Sequence, residues 1–195
     1  YVPLKALTPK KSEPGHIVTA LCAPVFEAAD IKSPVTSMWP MNVRFTGDLK
    51  DGFVETETGY VHIRQGRQVV DPAAETDFVS IAEQYAGRPY IWAGVSSEGL
   101  DCSGLVQTAL RATGRDAPRD SGDQAKIGSG ITDGTPLKRG DLIFWNGHVG
   151  IMQDGERLLH ANAYHMRVES EPLAGAVERI AAASYGPVIG RRRLG

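Results

Sequence analysis

From His16 to about Val70 apolar and polar residues alternate in short runs, I-V-T-A-L-C-A, V-R-F-T, F-V-E-T and Y-V-H-I, separated by turns containing Pro, Gly and Asp. Alternation of period two, broken by such residues, predicts strands. Runs this short and frequent predict a small all-β barrel over residues 15–70. The pattern stops at D-P-A-A-E-T-D, residues 71–77. Phe78, Ile81, Ala82 and Tyr85 then recur at helical spacing, with Gly87 placed to end that helix. A second helix is predicted from about Asp101 to Thr113, with Leu105, Val106, Ala109 and Leu110 on its apolar face and Gly114 as its stop. From Asp141 the period returns to two in D-L-I-F-W, H-V-G-I-M and R-L-L-H-A, with a last strand near P-V-I-G-R-R. Helices ahead of an antiparallel sheet predict an α+β domain over residues 71–195.

A chain of 195 residues, 42% hydrophobic and 23% charged, has room for a small and a medium globular domain. The net charge is −2 and the only basic run is Arg191–Arg193, so no nucleic-acid face is expected. No apolar stretch approaches the roughly 18 residues of a membrane helix, and no segment reads as a secretory signal. The chain begins at Tyr1 rather than Met, which leaves the compartment open between cytoplasmic and periplasmic or extracellular. Residues 1–14 read as a separate piece, the strand-like Y-V-P-L-K-A-L followed by a polar linker from Thr8 to Pro14.

Cys22 and Cys102 are the two cysteines, too few for a disulfide framework and without the paired spacing of structural zinc. Cys22, in A-L-C-A-P, reads as a buried strand residue. Cys102 falls in the first turn of the second predicted helix, where free N–H groups and the helix dipole favour a thiolate. Asp101 and Ser103 flank it. Gly104 removes a side chain where a substrate or another backbone approaches.

A cysteine nucleophile needs a base, and the chain offers His16, His62, His148, His160 and His165. The first two fall in the small barrel. His148 opens an apolar strand, so its ring can project from the strand end while Val149 and Ile151 anchor the opposite face. His160 lies on the next strand and is the candidate to orient it. A three-residue loop, Gln153-Asp154-Gly155 with Gly155 left-handed, would pair Met152 with Glu156 and put both histidines on one face. A two-residue loop would put them on opposite faces. The three-residue loop is predicted; His165, in a loop-like stretch, is the competing candidate.

Taken in order, Y-I-W-A-G, D-C-S-G-L-V, H-V-G-I and H-A resemble the NlpC family of papain-like, cell-wall cysteine peptidases over residues 76–195. D-G-F-V-E-T and T-G-Y-V-H-I resemble a hairpin of bacterial SH3-like domains, and the opening Y-V-P-L-K-A-L resembles the last strand of another such barrel, upstream. The resemblance implies a small SH3-like barrel followed by a papain-like domain, and a triad of Cys102, His148 and His160. It further places Tyr90 near the oxyanion and Asp101 and Ser103 along the substrate cleft, with Asp120 and Ser121 of P-R-D-S-G-D-Q as further contacts. The alternatives are a packing role for Tyr90, a helix-cap role for Asp101 and a solvated turn for residues 118–124. The family's usual Trp-Gly-Gly is Trp92-Ala93-Gly94 here, which puts the backbone at Ala93 in question.

The implied substrate is a peptidoglycan stem peptide or free muropeptide, cut between the γ-carboxyl of D-glutamate and a diamino acid. Asp101 suits the ammonium of a free N-terminal L-alanine, as in muropeptide recycling. Two rivals are an inactive peptidoglycan-binding protein and an acyltransferase on the same fold. The histidines lack helical metal-ligand spacing and there is no glycine-rich phosphate loop, so neither a metal nor an organic cofactor is expected.

Overall fold

A computed structural model describes residues 14–70, 77–183 and 185–195. The strand-like opening segment, the linker up to residue 13 and residues 71–76 lie outside the described residues. The chain divides into two compact units, residues 1–72 and residues 73–195.

The first unit holds two antiparallel sheets. Strand β1 (His16–Val18) lies between β4 (Arg44–Phe45) and β8 (Gly66–Gln68). The second sheet runs β3 (Val35–Pro40), β2 (Cys22–Phe26), β7 (Gly59–His62), β6 (Phe53–Thr56) and β5 (Asp48–Lys50). The single apolar run I-V-T-A-L-C-A thus divides between two sheets, because the N–H groups of Thr19 and Ala20 both donate to Gln65 O and bend the chain. Val18, Ala23, Val25, Phe45, Val54 and Val61 form the core, with Trp39 packed against it. Strands β6 and β7 form the hairpin predicted by their alternation, with Thr56 opposite Gly59.

The second unit opens with helix α1 (Phe78–Glu83), capped by Asp77, whose carboxylate accepts from the Val79 N–H. A short hairpin, β9 (Val95–Ser96) with β10 (Gly99–Leu100), leads into helix α2 (Cys102–Ala112), and the chain leaves it through Gly114 at φ 80°. After the one-turn helix α3 (Ser121–Gln124) comes a six-stranded antiparallel sheet. It contains β11 (Ser129–Gly130), β12 (Leu142–Trp145), β13 (His148–Met152), β14 (Arg157–Asn162), β15 (Arg167–Pro172) and β16 (Gly190–Arg193), in the order β11-β16-β12-β13-β14-β15. Helix α4 (Leu173–Ala182) connects toward the last strand.

Strands β12 and β13 are buried along their whole length, which is why they read as unbroken apolar runs. Pairing places Leu142, Phe144, Val149, Ile151, Leu159 and Ala161 on one face, where α2 packs on β13 and β14. Ile143, Trp145, Met152 and Leu158 lie on the other face, against Ala176 and Ile180 of α4. His148, His160 and Glu171 share this second face on three adjacent strands.

The β13–β14 register differs from expectation. Met152 pairs with Leu158 rather than Glu156, and the N–H of Gln153 donates to Arg157 O. The connection is therefore the four residues 153–156 rather than three, with no left-handed Gly155. Asp154 makes it instead: one carboxylate oxygen accepts from the N–H groups of both Glu156 and Arg157. The shift is two residues, so the face of each side chain is unchanged and the histidines still meet, diagonally across the strands.

Candidate active site

Cys102 is the first residue of α2, and the preceding Asp101 is its N-cap. One oxygen of Asp101 accepts from the Gly104 N–H at 2.7 Å, the other from the Ala93 N–H at 3.0 Å, and Arg119 bonds both oxygens at 3.0 and 2.6 Å. Arg119 also donates to the Ser103 hydroxyl at 3.0 Å. Such a cap contributes about 1 kcal/mol to the helix, and here it also ties the Trp92–Gly94 turn and the loop at Arg119 to the helix start. The ammonium-binding role expected for Asp101 meets a carboxylate already charge-paired with Arg119.

Two glycines make this approach possible. A Cβ on Gly104 would lie 2.2 Å from the carbonyl oxygen of Gly94, so the room that Gly104 leaves is taken by backbone. A Cβ on Gly94 would lie 2.4 Å from the carbonyl oxygen of Gly99. Next to Gly94 in the same turn, Ala93 adopts a left-handed φ of 64°, so the alanine in place of the first glycine of Trp-Gly-Gly carries the strain that a glycine would not.

The tight turn Asn146–Gly147, with Gly147 at φ 75°, presents its carbonyl 4.0 Å from the Cys102 sulfur and starts β13 beside it. His148 follows. Its Nε2 lies 2.8 Å from Nδ1 of His160, and Nε2 of His160 lies 2.7 Å from a Glu171 carboxylate oxygen. Since Nε2 of His148 is committed to His160, Nδ1 is the ring atom left for the thiol. Cys102 and His148 are each 8% exposed and His160 is fully buried. Both line a cavity of about 110 Å³ with Tyr90, Trp92, Tyr164 and Tyr185.

Burial governs the electrostatics. It pushes the Cys102 thiol up, aided by the charge of Asp101, while the backbone N–H groups of Val149, Ser103 and Cys102 itself pull the other way. The helix start therefore moderates the cost of a thiolate without overcoming burial. Burial, then His160 and Arg179, draw His148 down to about 3. His160 is also lowered, chiefly by burial and against the pull of Glu171. Glu171 is lowered too: burial opposes its charge, but its bond to His160 and the nearby cations outweigh that. The resting pair is a neutral thiol beside a neutral imidazole.

The remaining candidates fall in two groups. Tyr90 lines the cavity, and burial with the charges of Cys102 and Asp101 raises its hydroxyl to about 12, so it remains a donor. Ser103 is buried against Arg119. Asp120 is exposed and Ser121 half-buried, and neither borders the cavity. Their loop is held instead by Arg119 and by Gln124, whose amide donates to the carbonyls of Ser103 and Pro118. His165 turns to Asn162, which accepts from its backbone N–H at 2.8 Å, with its Nδ1 3.8 Å from Glu171.

His160, His165 and Glu171 come close enough together to hold a metal ion. The Arg179 guanidinium bonds the same Glu171 oxygen, so a cation already sits against that carboxylate. Sequence reasoning missed Glu171, Arg179 and Arg119. R-V-E-S-E-P has one apolar residue and reads as solvated, whereas Leu173, Ala176, Val177 and Ile180 did carry a helical period that points to α4.

Residues 87–181 match the NlpC/P60 family. Two curated relatives, the gamma-D-glutamyl-L-lysine dipeptidyl-peptidases of Bacillus subtilis and Bacillus cereus, are 32% and 35% identical over 143 and 130 residues. The matches take in 68% and 62% of this chain but 47% and 38% of theirs, so the chain spans about half or less of those relatives' length. A crystal structure of an NlpC/P60 family protein from Bacillus cereus superposes with a TM-score of 0.77 at 26% identity, covering 98% of this chain and 68% of that one. Residues 87–181 are an NlpC/P60 family domain.

Proposed function

We propose that residues 71–195 form a cysteine peptidase that hydrolyses peptidoglycan stem peptides at the bond from the γ-carboxyl of D-glutamate to a diamino acid. Cys102 is the nucleophile, His148 the base and His160 the residue that orients it. The observation that carries this reading is the Cys102–His148–His160 arrangement: a helix-start thiol and a histidine that line one cavity, the histidine being hydrogen-bonded to a second, buried one behind it. The names of the two Bacillus relatives supply the substrate class.

In the proposed reaction the Cys102 thiol gives its proton to Nδ1 of His148 as the sulfur attacks the γ-carbonyl carbon. The Cys102 N–H and the Tyr90 hydroxyl hold the oxyanion. Collapse breaks the C–N bond, and His148 returns the proton to the leaving amine. Water, deprotonated by His148, then attacks the thioester, and the departing sulfur takes the proton back.

Residues 15–70 are proposed as an SH3-like barrel, on the strength of the two small antiparallel sheets and the β6–β7 hairpin. Asp101 organises the helix start in this reading, and a substrate ammonium would have to share its carboxylate with Arg119. Asp120 and Ser121 remain proposed as substrate contacts by resemblance alone. The reading is tested by alkylation with iodoacetamide: peptide mapping should find the label that abolishes peptide cleavage on Cys102, whereas inactivation that tracks labelling of Cys22 would refute it.

A further inference from the structure

Glu171 is outside the proposed triad, yet it is the only carboxylate among the described residues bonded to either active-site histidine. It stands on β15, on the face of the sheet that carries His148 on β13 and His160 on β14. A carboxylate can only accept, so Nε2 of His160 must carry the hydrogen directed at Glu171. With His160 neutral, its Nδ1 has the lone pair and must accept from Nε2–H of His148. Nδ1 of His148 is then left without a hydrogen, the state needed by a base that takes the Cys102 proton.

We propose that Glu171 is a positioning residue that sets the tautomers of His160 and His148, so that the lone pair of His148 Nδ1 is available to Cys102. The proposal rests on the reading of these residues as a catalytic set. Arg179 of α4 bonds the same Glu171 oxygen and lies over the Tyr164 ring at 4.3 Å, which helps fix the carboxylate in place. The charged and titratable groups around this line are His148, His160, His165, Arg179 and Glu171, with Asp101 beside Cys102. When His148 accepts the thiol proton, the charge of Arg179 opposes the cation at least as strongly as that of Glu171 favours it, so Glu171 acts by orienting the rings rather than by its charge.

A merely structural Glu171 would anchor α4 through Arg179 and leave the histidines alone. The two roles separate in full-length protein by nitrogen-15 NMR of the histidine side chains, together with the pH dependence of Cys102 alkylation by iodoacetamide. Neither readout needs a peptide substrate. Wild type is expected to show Nε2–H tautomers for both His148 and His160. In Glu171→Gln the amide can donate to Nε2 of His160 and switch its tautomer. Alkylation at pH 7 and kcat should then fall on the order of 10- to 100-fold, with KM within about two-fold, and alkylation should return to the wild-type rate at high pH. Glu171→Asp, if Glu171→Gln does not fold, is expected to keep the wild-type tautomers through its remaining carboxylate, and a switched tautomer there would overturn the proposal. So would a folded Glu171→Gln with wild-type tautomers and alkylation rates. If wild type cleaves no stem peptide while the tautomers respond as described, the substrate reading fails and this proposal stands.

Discussion

His148 and His160 meet edge to face, with 2.8 Å between Nε2 of the first and Nδ1 of the second, although the residue paired across the strands from Met152 is Leu158 and the two rings are diagonal neighbours. The contact leaves Nδ1 as the ring atom of His148 available to a proton from the thiol. His160→Leu, which fills the buried site without a hydrogen-bond acceptor, should lower kcat by at least on the order of 100-fold. Steady-state kinetics with a folded variant check this; a fall of less than about three-fold would mean that His148 does not depend on His160.

The displaced ionisations set the pH dependence. His148 is neutral down to about 3 in the folded chain, and the Cys102 thiol is raised, so the reactive neutral pair spans a wide range. The acid limb of kcat/KM should lie well below the ordinary imidazole value of 6.5 and the alkaline limb above the ordinary thiol value. A pH profile with an acid limb at 6.5 would contradict the burial of His148.

The same shift acts on stability. The folded value of His148 is below the unfolded one, so the unfolded chain binds the extra proton between 6.5 and about 3. Stability from this group is full above 6.5 and is lost as pH falls, at a limiting slope of about 1.4 kcal/mol per pH unit. Denaturant unfolding at several pH values should give a slope in His148→Asn that is shallower than the wild-type slope by up to that amount.

Ala93 offers a test of backbone strain. At φ 64° the left-handed conformation costs an L-residue about 1–2 kcal/mol, from which the extra unfolded-state freedom of glycine subtracts about 0.4–1. Ala93→Gly should therefore stabilise the protein by on the order of 1 kcal/mol, read as a raised denaturant midpoint, while Ala93→Val should destabilise it.

Arg119 balances Asp101 next to the sulfur. Arg119→Met leaves that carboxylate unpaired, and its charge then bears on Cys102 without compensation. Iodoacetamide alkylation should shift to higher pH in Arg119→Met, and Asp101→Asn in the same chain should reverse part of the shift. An unchanged alkylation profile would show that the ion pair serves the fold alone.

The local motifs were the most readable part of this chain. Asp101-Cys102-Ser103-Gly104 announced a helix start because capping and glycine chemistry are local, and L-I-F-W and H-V-G-I-M announced buried strands because both faces are covered. The parity of the β13–β14 hairpin was also readable, and with it the meeting of His148 and His160. Its register was not, because Asp154 rather than Gly155 makes the turn. Glu171 and Arg119 stayed hidden for a different reason: each acts through a partner far away in sequence, and an acidic or basic residue in a polar stretch reads as solvated. Arg119 meets Asp101 only because its loop folds back on α2, and Glu171 meets His160 only because β15 adds to the sheet edge.

The central claim is tested most directly by mass spectrometry of L-Ala-γ-D-Glu-diamino acid peptide incubated with the protein and with Cys102→Ala, alongside the N-acetylated peptide. The account predicts release of L-Ala-D-Glu by the wild-type chain and none by Cys102→Ala, and a preference for the free amine would show that the ammonium shares Asp101 with Arg119. An intact peptide after incubation with active, alkylatable protein, or equal cleavage by Cys102→Ala, would contradict it.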